Sequence, residues 1–595
     1  APVPAPAATE TAAPSATPIA APAPLPKELG SWCLALFPPG SVTAEKKAAW
    51  ALMGGKADMG DGGVYTLTEH PNWKPQAGTD TSGDRHANSL NWALPLLYRG
   101  VHVQNQAMVD RFRQLILYWI ADHQGKRGTW VDGSIYGGLR TETLVCAAQT
   151  LNDPTIAAAA LRDAKTMVKP NFGARGVAIG ANNTDLVRQL GALGTFCWQG
   201  DVANRDRAWA NFVAVARGIV NDDGSDVEGS PGYATYIEKL LRDGERAAGT
   251  CGIPSAPLPQ LRGAIYNFIA SATRPDYKLV PLGDTIDKSV TKNFGVGDSV
   301  ADWVRSSGSI GNPPLSVYSA FAGGYAFGRA GWRPQPGGAD TYYSVRYDSS
   351  RPRTAHTHDD GGGITIYSRG VEWVTDRGPY RYDNASKLRA FVRTRAAHSA
   401  VTVGQVARKW PGHATLVKAG SDWQQGGNDV TCVRDETWKT VGVTRCVEYI
   451  RSVDAIVVVD YINAAAAKGK KAAKRFVWER WHLTPGLSAT NTKTMVTLAS
   501  GDQRMDIVKD GPAAWSVDVA NAKSSVGWDT GAWGQKLPAA VLNQKTPLGK
   551  AASASRVVTV FVPRAASESV PVSVGPDGVT VTRGGLTITT PLPAP

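Results

Sequence analysis

A short polar stretch of the sequence contains the residue types that bind metal ions and move protons. It reads RTAHTHDDGGGITIYSRGVEWVTDRGPY and is soon followed by RTRAAHSAVTV. If the first segment is extended, His356 and His358 look into one cleft, because side chains two residues apart share a face. Asp376 ends the next strand-like run and His398 begins another, so hairpin pairing would bring both close to His358.

Two imidazoles and one carboxylate form a ligand set for a divalent metal ion. Zinc accepts histidine nitrogen and aspartate oxygen, so His358, Asp376 and His398 predict a zinc site, with calcium or no metal as the alternatives. The spacing has a competing interpretation, in which the histidines are simply hydrogen-bonded within a sheet.

Two motifs earlier in the sequence accompany this cluster. GANNTD occupies residues 180–185 and DDGSDVEGSPGYATY occupies residues 222–236, and an H-x-H pair, a D-x-G and a later histidine follow in that order. In combination these motifs resemble the heparinase II/III-like polysaccharide lyases over most of residues 85–485. The resemblance implies a toroid of paired helices followed by a β-sandwich. It also implies β-elimination on a uronate-containing acidic polysaccharide, which leaves 4,5-unsaturated uronate ends.

The chemistry of this elimination explains why such residues belong together. The C5 proton of a uronate lies α to the carboxylate, and its removal builds negative charge there before the 4-O-glycosidic bond breaks. The reaction needs a group that stabilises the carboxylate, a base and an acid. The resemblance assigns the first role to Asn182 and Asn183, and it divides the other two between Tyr233 and His356.

Two of these assignments have structural alternatives. Either Asn182 or Asn183 could cap the helix that follows, and the sequence does not choose between them. Tyr233 lies in YATYIEKLL, an amphipathic helical pattern in which a tyrosine is often a core residue, and Tyr236 is then the fallback.

Further residues are candidates for binding the substrate. Arg353 and Arg393 could hold carboxylates or sulfates bidentately, Trp92 and Trp130 could stack on sugar rings, and Glu228 could orient a partner or cap a helix. The polymer itself stays open among alginate, heparan-type, hyaluronan-type and glucuronan-type chains, as does the choice between endo and exo cleavage.

Two other functions compete with the lyase. A glycoside hydrolase on a similar toroid would need two carboxylates, for which Asp223 and Glu228 are available, but this leaves the histidine cluster without a role. The other is a non-catalytic protein that binds acidic glycans.

The spacing of apolar residues, which indicates the helices and strands that must position these residues, changes along the chain. Runs such as NQAMVDRFRQLILYWIADH repeat apolar residues every three or four positions, whereas later runs such as AIVVVDYI and RVVTVFVP are strand-like. The pattern predicts an α+β multidomain protein. Its parts would be a Pro/Ala-rich leader over residues 1–26, an (α/α) toroid over 27–333 and an antiparallel β-sandwich over 334–595, with room for a smaller terminal sheet.

Composition and net charge limit the kinds of binding partner and the cellular compartment that are expected for the protein. The net charge of +13 predicts an anionic partner, and no motif typical of nucleic-acid binding and no apolar stretch of membrane-spanning length is present. The six cysteines lack CxxC spacing, so we expect disulfides, with Cys432 and Cys446 paired across a hairpin. Disulfides favour a secreted protein whose signal peptide is already absent from this numbering.

Overall fold

The computed structural model describes most of the chain. The described residues are 24–60, 63–73, 85–123, 134–171, 173, 178–333, 339–347, 356–383, 385–409, 413–492, 494–510 and 514–595. Two predicted substrate-binding residues, Arg353 and Trp130, lie outside them, as do residues 1–23 of the predicted leader.

The N-terminal half is built of helices, as the spacing of its apolar side chains predicts. Asp153, Asn182 and Asp298 each cap a helix by accepting hydrogen bonds from its first backbone N–H groups. None of the described helices is both long and apolar enough to span a membrane. The helices are α1 (Ser31–Leu36), α2 (Val42–Met53), α3 (Leu94–His102), α4 (Gln106–His123), α5 (Ile135–Leu151), α6 (Pro154–Met167), α7 (Asn183–Gln199), α8 (Val202–Ile219), α9 (Pro231–Cys251), α10 (Leu258–Ser271), α11 (Ser299–Arg305) and α12 (Lys387–Val392).

Strands make up most of the second half. They are β1 (Lys56–Asp58), β2 (Val64–Thr66), β3 (Tyr318–Phe321), β4 (Tyr325–Arg329), β5 (Tyr342–Arg346), β6 (Ile364–Ser368), β7 (Val371–Val374), β8 (Val401–Gly404), β9 (Ala414–Ser421), β10 (Asp429–Asp435), β11 (Val441–Ile450), β12 (Ala455–Ala464), β13 (Phe476–His482), β14 (Ser488–Asn491), β15 (Met495–Ser500), β16 (Gln503–Asp510), β17 (Ser516–Val519), β18 (Trp528–Asp529), β19 (Leu537–Pro538), β20 (Ala540–Pro547), β21 (Ser553–Ala565), β22 (Val572–Val574), β23 (Gly578–Arg583) and β24 (Leu586–Pro591).

All the strand pairings are antiparallel, which confirms the predicted α+β order of helices followed by a β-sandwich. The largest sheet has the order β14-β15-β16-β21-β12-β11-β10-β9. A five-stranded sheet β3-β4-β5-β6-β7 and a four-stranded sheet β17-β20-β13-β8 share a core with it. Val458 of the eight-stranded sheet, Trp373 of the five-stranded sheet and Trp481 of the four-stranded sheet all lie in this core. The small terminal sheet β22-β23-β24 packs on the other side of the eight-stranded sheet.

Aromatic side chains join the helical half to the sandwich. Phe268 on α10 meets Phe321 and Tyr325 of the five-stranded sheet, with ring centroids 5.1 and 5.2 Å apart. These rings belong to one continuous buried core. The two halves are therefore packed together where the sandwich begins. This packing sets the relative position of the segments that carry the polar motifs.

Three disulfides are present, and every cysteine of the chain is paired. Cys432 and Cys446 face each other across β10 and β11, as predicted. Cys33 pairs with Cys146, and Cys197 pairs with Cys251, so both of these bridges lie within the helical half.

The first strands of the sandwich begin earlier than the sequence pattern indicates. β3 pairs with β4, and β4 pairs with β5, although both β3 and β4 lie before residue 334. Their sequence, YSAFAGGYAFGR, is rich in glycine and alanine, which hides the alternation of a strand. The division into leader, toroid and sandwich at residues 26 and 333 stays a prediction.

Candidate active site

The loop between α8 and α9 carries Glu228 toward the sandwich. Gly229 in this loop has a φ angle of 78°, a conformation that favours glycine. A Cβ atom on Gly229 would lie 2.5 Å from Oγ1 of Thr357, so a larger residue would push the two segments apart. Thr357 donates from Oγ1 to the Glu228 carbonyl at 3.3 Å. The DGS-containing motif and the H-x-H motif therefore meet at this loop.

Glu228 connects three of the sequence motifs through its carboxylate. Oε1 accepts hydrogen bonds from the backbone N and from Nδ2 of Asn183, at 2.9 and 3.0 Å. Oε2 lies 2.7 Å from Nδ1 of His356. Because a carboxylate only accepts hydrogen bonds, Nδ1 of His356 carries the proton, and in the neutral ring Nε2 carries the lone pair.

The two adjacent asparagines have different roles in the structure. Asn182 caps α7, since its Oδ1 accepts from the backbone N of Asp185 at 2.9 Å and its Nδ2 donates to Asp185 Oδ2. Asn183 is the first residue of the helix and directs its side chain to Glu228. The structure thus separates the cap from the residue that faces the polar cluster.

Tyr233, on the first turn of α9, lies against His356. Their rings are stacked, with centroids 3.5 Å apart and an interplanar angle of 16°. The Tyr233 hydroxyl is 2.7 Å from the hydroxyl of Tyr382, which the sandwich half contributes. Trp533 packs edge-on against Tyr382, with ring centroids 4.9 Å apart. Asn183, Tyr233 and His356 are therefore brought together, as the predicted site requires.

Burial sets the protonation state of this tyrosine pair. It raises the pKa of Tyr233 well above the usual value, and the hydrogen bond with Tyr382 only partly opposes this shift. Burial likewise raises the pKa of Tyr382. Both hydroxyls are protonated near neutral pH, so they can donate protons. Tyr236, the fallback candidate, packs edge-on against Tyr233, and burial raises its pKa too.

A second, fully buried cluster lies beside the first. His358, Asp376 and His398 each offer a ligand atom, and the three atoms lie within 4.8 Å of one another. His398 Nδ1 is 2.8 Å from Asp376 Oδ1, and His358 Nε2 is 2.8 Å from Asp284 Oδ1. All four side chains are at most 4% exposed.

The remaining nitrogens of this cluster suit a cation. Within the described part of the chain, neither Nδ1 of His358 nor Nε2 of His398 has a hydrogen-bond partner, although both are buried. Buried polar atoms without a partner are costly, and two imidazole nitrogens beside a carboxylate are a donor set for zinc. The residues therefore fit a divalent metal ion, and Asp284 would orient His358 from the far side of the ring.

Asp284 also connects the two clusters. Its carboxylate accepts from both Nη atoms of Arg389, at 2.6 and 2.9 Å, in addition to His358. Burial works to raise the pKa of Asp284, but His358 and Arg389 outweigh it and hold that pKa well below its usual value. The Arg389 guanidinium lies 5.2 Å from the ring centroid of Tyr382. A continuous series of contacts thus runs from His358 to the tyrosine pair.

One geometric expectation was wrong. His356 and His358 do not look into one cleft: the first contacts Glu228 and Tyr233, and the second contacts Asp284 and lies near His398. The segment that carries them belongs to no strand. The two-residue alternation of side chains requires extended backbone and so does not apply here.

Trp92 and Arg393, two further predicted substrate-binding residues, belong to neither of the two clusters. Trp92 is 7% exposed within the core of the first helices, and its Nε1 donates to the Ala87 carbonyl, so its ring is used for packing. Arg393 is exposed at the end of α12, and its carbonyl accepts from the backbone N of Asp359. Asp223, proposed for a hydrolase, accepts from Ser225 and from the backbone of Ala322.

Two residues at the site, Tyr382 and Asp284, were not selected from the sequence. Tyr382 follows the D-x-G motif in GPYRYD, so proximity to that motif was the available signal. Asp284 is in an irregular segment between α10 and α11 with no motif around it. Only the tertiary contact with His358 identifies it.

Fold and site together define a class of protein, an α-helical domain joined to an antiparallel β-sandwich with a histidine–tyrosine cluster between them. Residues 313–563 match the family model described as "Heparinase II/III-like, C-terminal", in agreement with the resemblance predicted from the sequence. Among curated proteins, none matches the sequence.

Solved structures extend the likeness to nearly the whole chain. The crystal structure titled Heparinase III has a TM-score of 0.75 and 15% identity, and the match covers 93% of this chain and 92% of that one. The heparan sulfate lyase HepC from Pedobacter heparinus gives a TM-score of 0.65 at 15% identity, with 93% and 90% covered. The Streptomyces coelicolor A3 chondroitin AC lyase gives 0.52 at 12% identity, with 94% and 86% covered. At these identities the likeness establishes the fold.

Proposed function

We propose that this protein is a secreted polysaccharide lyase that cleaves a uronate-containing acidic polysaccharide by β-elimination. The observation that carries the proposal is the cluster in which Glu228 holds His356 by Nδ1 while the imidazole stacks on Tyr233. The similar structures include a heparan sulfate lyase and a chondroitin AC lyase, which supports the class of reaction.

His356 is the base in this proposal. Because Glu228 fixes the proton on Nδ1, Nε2 can take the C5 proton of the uronate. The positive charge that forms on the ring is then stabilised by the same carboxylate, in the way an aspartate supports the histidine of a serine protease.

Tyr233 is the acid. Its raised pKa keeps the hydroxyl protonated, so it can donate to the glycosidic oxygen as the bond from C4 breaks. The electron pair of the C5–H bond becomes the double bond between C4 and C5, and the leaving oxygen gains the Tyr233 proton. Tyr382 can replace that proton across the 2.7 Å hydroxyl contact.

Asn183 stabilises the uronate carboxylate as charge develops on it. One N–H of its side-chain amide is held by Glu228, and the amide has a second N–H to donate. A neutral donor that is already oriented costs little reorganisation in the transition state.

His358, Asp376 and His398 would hold a divalent metal ion, most simply zinc. A metal ion here would supply positive charge that fixes the fold around the site. Asp284 would then hold Arg389, and Arg389 would hold Tyr382 in place, through the contacts described above.

The experiment that tests the proposal is a panel of alginate, heparan sulfate, hyaluronan, chondroitin sulfate and glucuronan. We expect ultraviolet absorbance of the conjugated, unsaturated uronate to rise with at least one polymer. New reducing ends without this absorbance would indicate a hydrolase. Binding without either product would indicate a non-catalytic glycan-binding protein.

A further inference from the structure

The outer face of the four-stranded sheet carries aromatic rings and cations. Along β13, Phe476, Trp478 and Arg480 are partly exposed, whereas the residues between them are buried. Lys545 on β20 lies directly opposite Trp478. We call these four residues the outer-face cluster.

The members of the cluster lie close to one another. Lys545 Nζ is 4.3 Å from the ring centroid of Phe476 and 5.7 Å from that of Trp478. The Arg480 guanidinium is 5.2 Å from the Trp478 ring, and the two aromatic rings meet edge to face at 6.1 Å. Two cations therefore lie near the indole of Trp478.

The cations of the cluster form no ion pairs within the described residues, although the Asp518 carboxylate favours the charged form of Arg480 from a longer distance. Among the described residues, neither Lys545 nor Arg480 has an ion-pair partner, and Arg480 makes only a long hydrogen bond, 3.4 Å, to the Ala396 carbonyl. The loop that leads into β13 adds three exposed lysines, Lys470, Lys471 and Lys474. A cation–aromatic pair at a surface is common by itself. The outer-face cluster is larger than one such pair, because it combines two rings, two cations and an adjoining basic loop.

This chemistry suits an anionic polysaccharide. Sugar rings present an apolar face of C–H groups that stacks on an aromatic side chain, while their carboxylates or sulfates bind arginine and lysine. The excess of positive charge also selects against neutral glycans.

The cluster lies on a strand that ends beside the buried cluster of His358, Asp376 and His398. At the far end of β13, the His482 backbone N donates to Ser399 Oγ at 2.9 Å, next to His398. Trp478 is four residues back along this strand, about 13 Å at the usual rise per residue. A chain of several sugars bound at the active site could reach the cluster, whereas a disaccharide, which is shorter than this distance, could not.

We propose that the outer-face cluster is a second binding site for the acidic polysaccharide, outside the reacting centre. The proposal rests on the proposed function in taking the bound polymer to be the substrate. It predicts that the cluster affects the binding of long chains and not the chemical step.

The test is a binding titration in a Tyr233→Phe background, so that the polymer is not degraded. Long chains of each polymer in the panel and their disaccharides are the probes. We expect Trp478→Ala combined with Lys545→Gln to weaken binding of the best long polymer by about tenfold, as one lost stacking and one lost charge contact imply. Binding of the disaccharide should stay unchanged.

A matched pair on the helical half serves as the control. Lys46 and Trp50 are exposed one turn apart on α2, so Lys46→Gln with Trp50→Ala removes the same residue types. This variant should bind long chains like the parent. A further variant, Arg480→Gln with Lys545→Gln, keeps both rings in place and should also weaken binding.

Three outcomes would overturn the proposal. They are unchanged binding of long chains in both cluster variants, an equal loss in the Lys46/Trp50 control, and a larger loss for single-stranded DNA than for any polymer of the panel. Binding is measured without turnover, so a chain that uses the cluster but yields no unsaturated product would contradict only the lyase proposal.

Discussion

The two polar clusters of this protein contain similar residue types in opposite environments. The first, formed by Glu228, His356 and Tyr233, is assembled from both halves of the chain, and its imidazole is 14% exposed. The second, formed by His358, Asp376 and His398, is buried, and both of its imidazoles are fully enclosed. Exposure to a substrate favours proton transfer in the first cluster, and enclosure favours a fixed metal ion in the second.

Two buried aspartates show the same contrast. Asp284 faces His358 and Arg389, and its pKa is held well below the usual value. Asp226 has the carboxylate of Glu228 as a neighbour, and burial followed by this neighbour raises its pKa to about 7. The charge of the neighbours therefore decides whether a buried carboxylate is ionised.

The largest effect is expected for Tyr233→Phe, which removes only the phenolic oxygen. If Tyr233 is the acid, kcat should fall by roughly 10²- to 10⁴-fold. Stability should change by about 1 kcal/mol, the worth of one hydrogen bond. Turnover of the best polymer and denaturant unfolding measure the two quantities. Near-normal turnover would remove Tyr233 from the mechanism and direct attention to Tyr382.

The next effect concerns the buried cluster. His358→Ala should lower the free energy of unfolding by about 2 to 5 kcal/mol, as for other large-to-small changes in a core. It should also abolish metal binding, measured by elemental analysis. His482→Ala is the matched control, because His482 is equally buried but both of its nitrogens bond within the chain, to Arg377 and Ala396. Equal metal content in the two variants would contradict the assignment of the ligands.

A smaller effect should depend on pH. An unfolded aspartate titrates near pH 3.9, whereas folded Asp226 keeps its proton up to about pH 7. The contribution of Asp226 to the free energy of unfolding is therefore smallest above pH 7. The protein should lose stability as pH rises from about 4 to 7.

Asp226→Asn should remove this dependence, because asparagine keeps the oxygen that accepts from the backbone N of Gly229. The variant should equal the parent near pH 4 and exceed it above pH 7, by at most about 4 kcal/mol. Unfolding titrations at the two pH values measure the difference. A difference that does not vary with pH would show that the Asp226 pKa is not raised.

The smallest effect separates the two asparagines. Asn182→Ala removes the cap of α7 and should cost about 1 kcal/mol of stability while leaving the rate of the chemical step almost unchanged. Asn183→Ala should raise the activation free energy of the reaction by more than it lowers the free energy of unfolding, because its amide acts on the developing charge. The reverse pattern would exchange the two roles.

The sequence by itself determined the elements and the candidate ligand set. Apolar periodicity set the helices before residue 305 and the strands of the sandwich, since burial of one face imposes its period on the residues. Two cysteines in neighbouring strand-like runs determined the Cys432–Cys446 bridge. The spacing of His358, Asp376 and His398 identified three side chains that the fold places together.

Tertiary structure alone decided which side chains share a cluster. The helical half brings Glu228 and Tyr233 to His356, and the sandwich adds Tyr382, across separations of 128 and 149 residues. It also separated His356 from His358 and assigned the cap to Asn182 rather than Asn183. Local patterns cannot fix these choices, because each depends on the angle at which two packed halves present their loops to one another.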